Sequence, residues 1–118
     1  MKPLAEVVLE RNDATVIAHL RGEVDLSNVD DIRAALVDAV EHQTEHLILD
    51  LTETTYLDST GIRLLFELAE RLAGRRQEMR LVVSDAALVR RVIELTQLDQ
   101  RVPIDATVAQ AIEASGRA

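Results

Sequence analysis

Between Leu47 and Ala73 the apolar residues change period, and the change marks the centre of the chain. Leu47-Ile48-Leu49-Asp50-Leu51 is a nearly continuous apolar run, too short for a helix and suited to a strand buried on both faces. An acidic, threonine-rich stretch follows and reads as a loop. Ile62, Leu65, Phe66, Ala69, Leu72 and Ala73 then recur at the spacing of one helix face. Arg63, Glu67, Glu70 and Arg71 take the opposite face, with Arg63/Glu67 and Glu67/Arg71 set for i,i+4 pairing. Gly74 supplies the stop.

On the N-terminal side, Ala5, Val7 and Leu9 alternate with Glu6 and Glu10, and Arg11-Asn12-Asp13 turns the chain. A second strand, Thr15 to Leu20, sends Val16, Ala18 and Leu20 to one face and Thr15, Ile17 and His19 to the other, so that a hairpin opens the fold. Ser27 with Asp30 has the spacing of a capping box before the periodicity Val29, Ile32, Leu36, Ala39 and Val40, which predicts a helix to about Glu41.

On the C-terminal side, Met79 to Val83 reads as a buried strand. Ser84 or Asp85 then starts a helix with Leu88, Val92 and Leu95 inward and Arg90, Arg91 and Glu94 outward. Pro103 confines a short strand around Val102 and Ile104 to an edge. Asp105 or Thr107 begins a last helix with Val108, Ala111 and Ile112 inward, and Ser115 to Ala118 reads as a frayed tail. The order β-β-α-β-α-β-α-(β)-α predicts an α/β fold with a mixed, largely parallel sheet of four to five strands and about four helices. One domain over residues 1–118, with a core at about 5–113, accommodates it.

Composition narrows the chemistry. The formal net charge is −8, Lys2 is the single lysine, and the aromatic residues are one Tyr and one Phe. Such a chain has neither the basic stripe nor the stacking platform that nucleic acid requires. The absence of cysteine removes disulfides and thiol chemistry and suits a reducing compartment. MKPLAEVVLERND lacks the apolar core of a signal peptide and no apolar run approaches a membrane span, so the expected location is the cytoplasm.

Asp58-Ser59-Thr60-Gly61 lies where strand and loop give way to helix. Asp58 can cap the first turn, which sets Ser59 and Thr60 at the positive end of the helix, where a phosphate is well received. Asp25 sits in a turn that can reach the same end of the sheet. His42-Gln43-Thr44-Glu45-His46 has the H-x-x-E-H spacing of some zinc peptidases, but helical periodicity has ended by Glu41, so the segment reads as a solvated connection. His19 reads as a solvated strand residue without a second metal ligand. Asp50 at a strand end suggests a receiver domain, yet the acidic pair and the later lysine of that class are missing. No histidine is expected beside Ser59 to make it a nucleophile, and no cofactor motif is present.

The hairpin, the Gly22-Glu23-Val24-Asp25 turn, the LILDL strand and above all Asp58-Ser59-Thr60-Gly61-Ile62 leading into a helix resemble a STAS domain of the bacterial anti-sigma factor antagonist type. The resemblance covers about Val7 to Ile112. It implies that Ser59 is phosphorylated by a partner that is both serine kinase and anti-sigma factor, that only the unphosphorylated form binds that partner and frees a sigma factor, and that a serine phosphatase resets the switch. Asp25, Asp58, Thr60, Gly61, Ile62 and Arg63 would surround the acceptor. Arg63 stands where founding members tend to have a small residue and bears on partner choice. On this reading the chain is a substrate rather than an enzyme, a monomer or weak homodimer that takes no cofactor and does not enter a membrane. The alternative is a stand-alone STAS subunit of a lipid or anion transport assembly or of a stress-signalling complex.

Overall fold

The computed structural model describes residues 4–116. Among these described residues six strands and four helices follow in the order β1 (Ala5–Asn12), β2 (Thr15–Val24), α1 (Val29–Ala39), β3 (His46–Asp50), β4 (Thr54–Leu57), α2 (Ser59–Gly74), β5 (Glu78–Val82), α3 (Leu88–Leu95), β6 (Ile104–Asp105) and α4 (Val108–Ser115), with a 3-10 turn at Leu98–Gln100. The α/β architecture and the opening hairpin are as expected: β1 and β2 pair antiparallel from Ala5↔Gly22 to Asn12↔Thr15, and every other pairing is parallel. The sheet order is β1-β2-β3-β5-β6, with β4 beside β2.

β4 is the strand that the periodicity concealed. β3 pairs with the first half of β2, Thr15↔His46 to His19↔Asp50, and β4 resumes along the second half, at Gly22↔Thr54 and Val24↔Leu57. The register slips between Gly22 and Glu23, so β4 behaves as a continuation of β3 after an irregular crossing. Gly22 N–H donates to Glu53 O at 3.0 Å and Thr54 Oγ1 donates to Leu20 O at 2.6 Å. Four residues with two exposed threonine and tyrosine positions carry too little apolar pattern to announce a strand. Gly22 has φ +100, and a Cβ there would lie 2.1 Å from Leu4 O, so only glycine fits.

The main core lies between one sheet face and α1, α2 and α3, where Val16, Ala18, Leu20, Leu47, Leu49 and Leu81 meet Leu36, Leu65, Leu68 and Ile93. On the other face Ile17, Ile48 and Val82 pack on Ala111 of α4. β3 is therefore buried on both sides, as its apolar run demands.

Several expectations are corrected. The second strand runs past Leu20, so that Gly22 to Val24 pair with β4 as the end of β2 and are not a turn. In α2, Ile62, Leu65 and Leu72 are buried as expected and Phe66 and Ala69 pack partly against the core, but Leu64 and Leu68 join the buried face and Ala73 is exposed. The helix does end at Gly74, as expected, and the left-handed residue of the following turn is Arg76. In α3 the buried residues are Val89 and Ile93, with Val92 packed partly against the core as expected, while Leu88 and Leu95 are 80% and 73% exposed. The predicted face is thus rotated, and Ala87 rather than Ser84 or Asp85 holds the N-cap. Ser27 forms no capping box, since its hydroxyl donates to Asp25 and Asn28 is the N-cap of α1, which ends at Ala39. Ser115 is buried in α4 and donates to Ala111 O, so the tail does not begin there, and residues 117–118 lie outside those described. Thr107 caps α4 as expected, accepting from Gln110 N–H, but Ile112 is 42% exposed.

Candidate functional site

Where β2 and β4 end side by side, Asp58 joins the sheet to α2. Its N–H donates to Val24 O at 3.2 Å, and its backbone stays extended as an N-cap. Carboxylate Oδ1 accepts from Thr60 N–H at 2.9 Å, Gly61 N–H at 3.0 Å and the Thr60 hydroxyl at 2.5 Å. Oδ2 accepts from Leu26 N–H at 3.2 Å, across from the β2–α1 turn. The Thr60 hydroxyl bond, helped by the Gly61, Thr60 and Leu26 N–H groups, holds the Asp58 carboxyl below the usual carboxylate range against the opposing effect of burial.

Two neighbouring hydroxyls thus differ in state. Thr60 is half-buried and its hydroxyl is committed to Asp58. Ser59 is exposed, and among the described residues its hydroxyl has no hydrogen-bond partner. Gly61 lies beneath: a Cβ there would come within 3.0 Å of Leu57 Cδ2 and 3.2 Å of Val24 Cγ1, so glycine lets the helix start settle on the strand ends. Ile62 is buried and anchors the same turn. Arg63 is exposed and makes no ion pair among the described residues. The Arg63/Glu67 pair that the spacing suggested does not form, because Glu67 accepts from Arg33 Nε at 3.0 Å while Arg33 also holds Asp30 at 2.6 Å.

Asp25 adjoins Leu26, whose N–H reaches Asp58, but directs its own carboxylate to its own turn, accepting from Ser27 N–H at 2.9 Å and the Ser27 hydroxyl at 2.5 Å. The residue that links the turn to Asp58 is Leu26, through its backbone, a role that no side-chain pattern encodes. Leu26 and Tyr56 are 74% and 50% exposed, apolar surface that the sequence reading did not single out.

The histidines stand elsewhere. His19 is mostly buried, with Nδ1 2.7 Å from Asp50 Oδ2 and Nε2 against Glu10, so it is an ion-paired residue rather than the solvated one expected. The bond to Glu10, together with Asp50, raises its pKa despite burial. For Asp50, burial resists the charge, but the Thr52 N–H and His19 outweigh it and lower the pKa. His42 lies on a loop and accepts from Arg75, whereas His46 begins β3 and is buried, so the H-x-x-E-H segment is not a helix.

A family model for the STAS domain matches residues 6–111. The chain belongs to the STAS domain family. It is 28% identical over 112 residues to the anti-sigma-F factor antagonist RsfA of Mycobacterium tuberculosis, a span of 93% of this chain and 87% of RsfA. The crystal structure of an anti-sigma factor antagonist from Mycobacterium paratuberculosis superposes with a TM-score of 0.85 at 26% identity, covering 95% of this STAS domain and 94% of that protein. The anti-sigma factor antagonist SpoIIAA in its unphosphorylated form gives 0.73 at 25% identity, covering 92% and 95%. Its phosphorylated form gives 0.64 at 24%, covering 92% and 98%. No helix of the described residues is long and apolar enough to cross a membrane.

Proposed function

We propose that this STAS domain is an anti-sigma factor antagonist whose partner binding is switched off by phosphorylation of Ser59. Unphosphorylated, it binds an anti-sigma factor with serine kinase activity and thereby frees a sigma factor; a serine phosphatase restores that state. The domain is then a substrate and a binding module of the cytoplasm, with no catalytic group or cofactor of its own. The observation that carries the reading is the contrast between the two hydroxyls: Ser59 is exposed and unengaged, and Thr60 is bound to Asp58. Phosphorylation adds about −1.5 to −2 charges next to Asp58, in a chain whose net charge is already −8. A partner that meets this face with an acidic nucleotide site would then confront like charge in a partly dry interface, which costs several kcal/mol.

Incubation with the cognate kinase and ATP, followed by mass spectrometry, should place the phosphate on Ser59, and Ser59→Ala should not be modified. Calorimetric titration should give Ser59→Ala an affinity close to that of the unmodified protein and the phosphorylated form an affinity lower by about 100-fold or more, equivalent to about 3 kcal/mol. Modification mainly at Thr60, or equal affinities of the two forms, would overturn the proposal. Specific retention of transport subunits in place of a serine kinase would do so as well.

A further inference from the structure

The helix start offers less to a phosphate than a free helix terminus would. Thr60 N–H and Gly61 N–H both go to Asp58 Oδ1, and Ile62 N–H goes to Asp58 O at 3.1 Å. Of the first-turn donors, Thr60 and Gly61 N–H are thus engaged by the Asp58 side chain and Ile62 N–H by the first bond of the helix itself, which leaves only the Ser59 N–H to an added anion. The Asp58 carboxylate, held also by the Thr60 hydroxyl and Leu26 N–H, keeps its charge beside Ser59. A phosphate added to Ser59 therefore meets one free backbone donor and a fixed negative charge, and a nearby cation would offset the latter.

One cation is in place and unspent. Arg63 follows Ser59 by four residues on the exposed side of α2, where Cβ atoms lie about 5–6 Å apart. Its other i,i+4 neighbour, Glu67, is taken by Arg33, which bonds Asp30 as well. Among the described residues Arg63 has no ion pair. An anion N-terminal to a cation is the favourable order for such a pair, and a guanidinium can grip phosphate oxygens with two donors.

We infer that phosphorylation of Ser59 captures Arg63, closing a phosphate–guanidinium pair along one turn of α2 and withdrawing that free charge from the surface offered to the partner. The inference rests on Ser59 being the acceptor, as proposed above. Phosphoryl transfer from ATP forms the Ser Oγ–P bond, breaks the bond from the γ-phosphorus to the bridging oxygen, and releases ADP and the hydroxyl proton. Arg63 takes no part in that step and acts on the product. The switch then has two components: negative charge and bulk appear at Ser59, and positive charge available to a partner carboxylate disappears at Arg63.

The test installs phosphoserine at position 59 by genetic encoding, so no kinase is needed and the result is independent of whether the antagonist reading holds. Phosphorus NMR follows the second ionisation of the phosphate, near pH 6 in the absence of other influences, in the parent, Arg63→Gln, Arg63→Lys and Arg71→Gln. Capture predicts that the parent titrates lower than Arg63→Gln by about 0.2–0.4 pH unit, the size expected for an exposed helix pair when the phosphate gains its second charge. Arg63→Lys should keep part of the shift, Arg71→Gln should match the parent, and about 1 M salt should shrink the difference. Titration of Arg63→Gln together with the parent, or an equal shift in Arg71→Gln, would overturn the inference. With the partner kinase, Arg63→Gln should weaken binding of the unphosphorylated domain more than that of the phosphorylated one, and equal weakening of both removes the withdrawal of charge.

Discussion

Replacing Asp58 by alanine removes one acceptor from four donors at once: Thr60 N–H, Gly61 N–H, the Thr60 hydroxyl and Leu26 N–H. Loss of an N-cap side chain costs about 0.5–2 kcal/mol, and four broken contacts put this site towards the upper part of that range, at about 1.5 kcal/mol. For a chain of this length the melting temperature should fall by roughly 5 °C. The pH dependence gives the sharper check. The folded carboxyl is held below its ordinary value, chiefly by the Thr60 hydroxyl, so its contribution is complete above the ordinary range near pH 3.9 and is lost as pH falls through the folded value. Urea unfolding of the parent and Asp58→Ala should therefore show the full gap at about pH 7 and a closing gap below about pH 4, since the remaining titrating groups are common to both proteins. Asp58→Asn keeps an acceptor for the helix N–H groups and should lose little at neutral pH while showing no such closure. A gap under about 0.3 kcal/mol at neutral pH, or one that stays constant down to about pH 2.5, would refute the reasoning.

Gly22→Ala should lower the unfolding free energy by more than about 2 kcal/mol, because it combines a left-handed backbone with a Cβ 2.1 Å from Leu4 O; a near-neutral urea midpoint would contradict the bend at that residue. In α3, Ile93→Ala should cost about 2–5 kcal/mol by leaving a cavity, whereas Leu88→Ala and Leu95→Ala should stay within about 0.5 kcal/mol, an ordering that thermal melts of the three variants can check. For His19, whose folded pKa is raised by Glu10 and Asp50, the stabilisation is complete below its ordinary value near 6.5 and lost as pH rises through the raised one. The stability difference between the parent and His19→Gln should accordingly be larger at about pH 6 than at about pH 9, and a difference that grows with pH would reverse the assignment.

What the sequence made legible were elements with one dominant period. LILDL could only be a doubly buried strand, and the Asp58 cap followed from its place before the Ile62–Leu72 stripe. Where two stripes compete, tertiary packing decides. In α3 both Leu88/Val92/Leu95 and Val89/Ile93 have helical spacing; Val89 and Ile93 are the buried pair, Val92 packs partly against the same core, and Leu88 and Leu95 are left outside. β4 was hidden because its stabilisation comes from ladder bonds to β2 and from Thr54 against Leu20 O, none of which needs an apolar side chain. His19 was misread for a related reason: its partner Asp50 lies 31 residues away, brought opposite by strand register, and local spacing carries no trace of that. The same holds for Arg63, whose freedom depends on Arg33 of another helix having taken Glu67.

The concealed strand explains why the site is built as it is. Were Thr52 to Leu57 a loop, Asp58 would hang from a flexible connection, and the distance from Ser59 to the β2–α1 turn would vary. Pairing of Val24 with Leu57 instead fixes the strand end, the Asp58 N–H bond to Val24 O carries that register one residue further, and Leu26 N–H returns to the Asp58 carboxylate from the other side. Gly61 removes the one Cβ that would hold the helix off Leu57 and Val24. Ser59 is thereby the residue at this junction whose side chain the fold does not use, exposed on a support that uses its neighbours Asp58, Thr60, Gly61 and Ile62. A group added at Ser59 breaks none of these contacts. Its influence must pass outward, through charge, bulk and the nearby guanidinium, and that is what a switch read by a partner rather than by refolding requires.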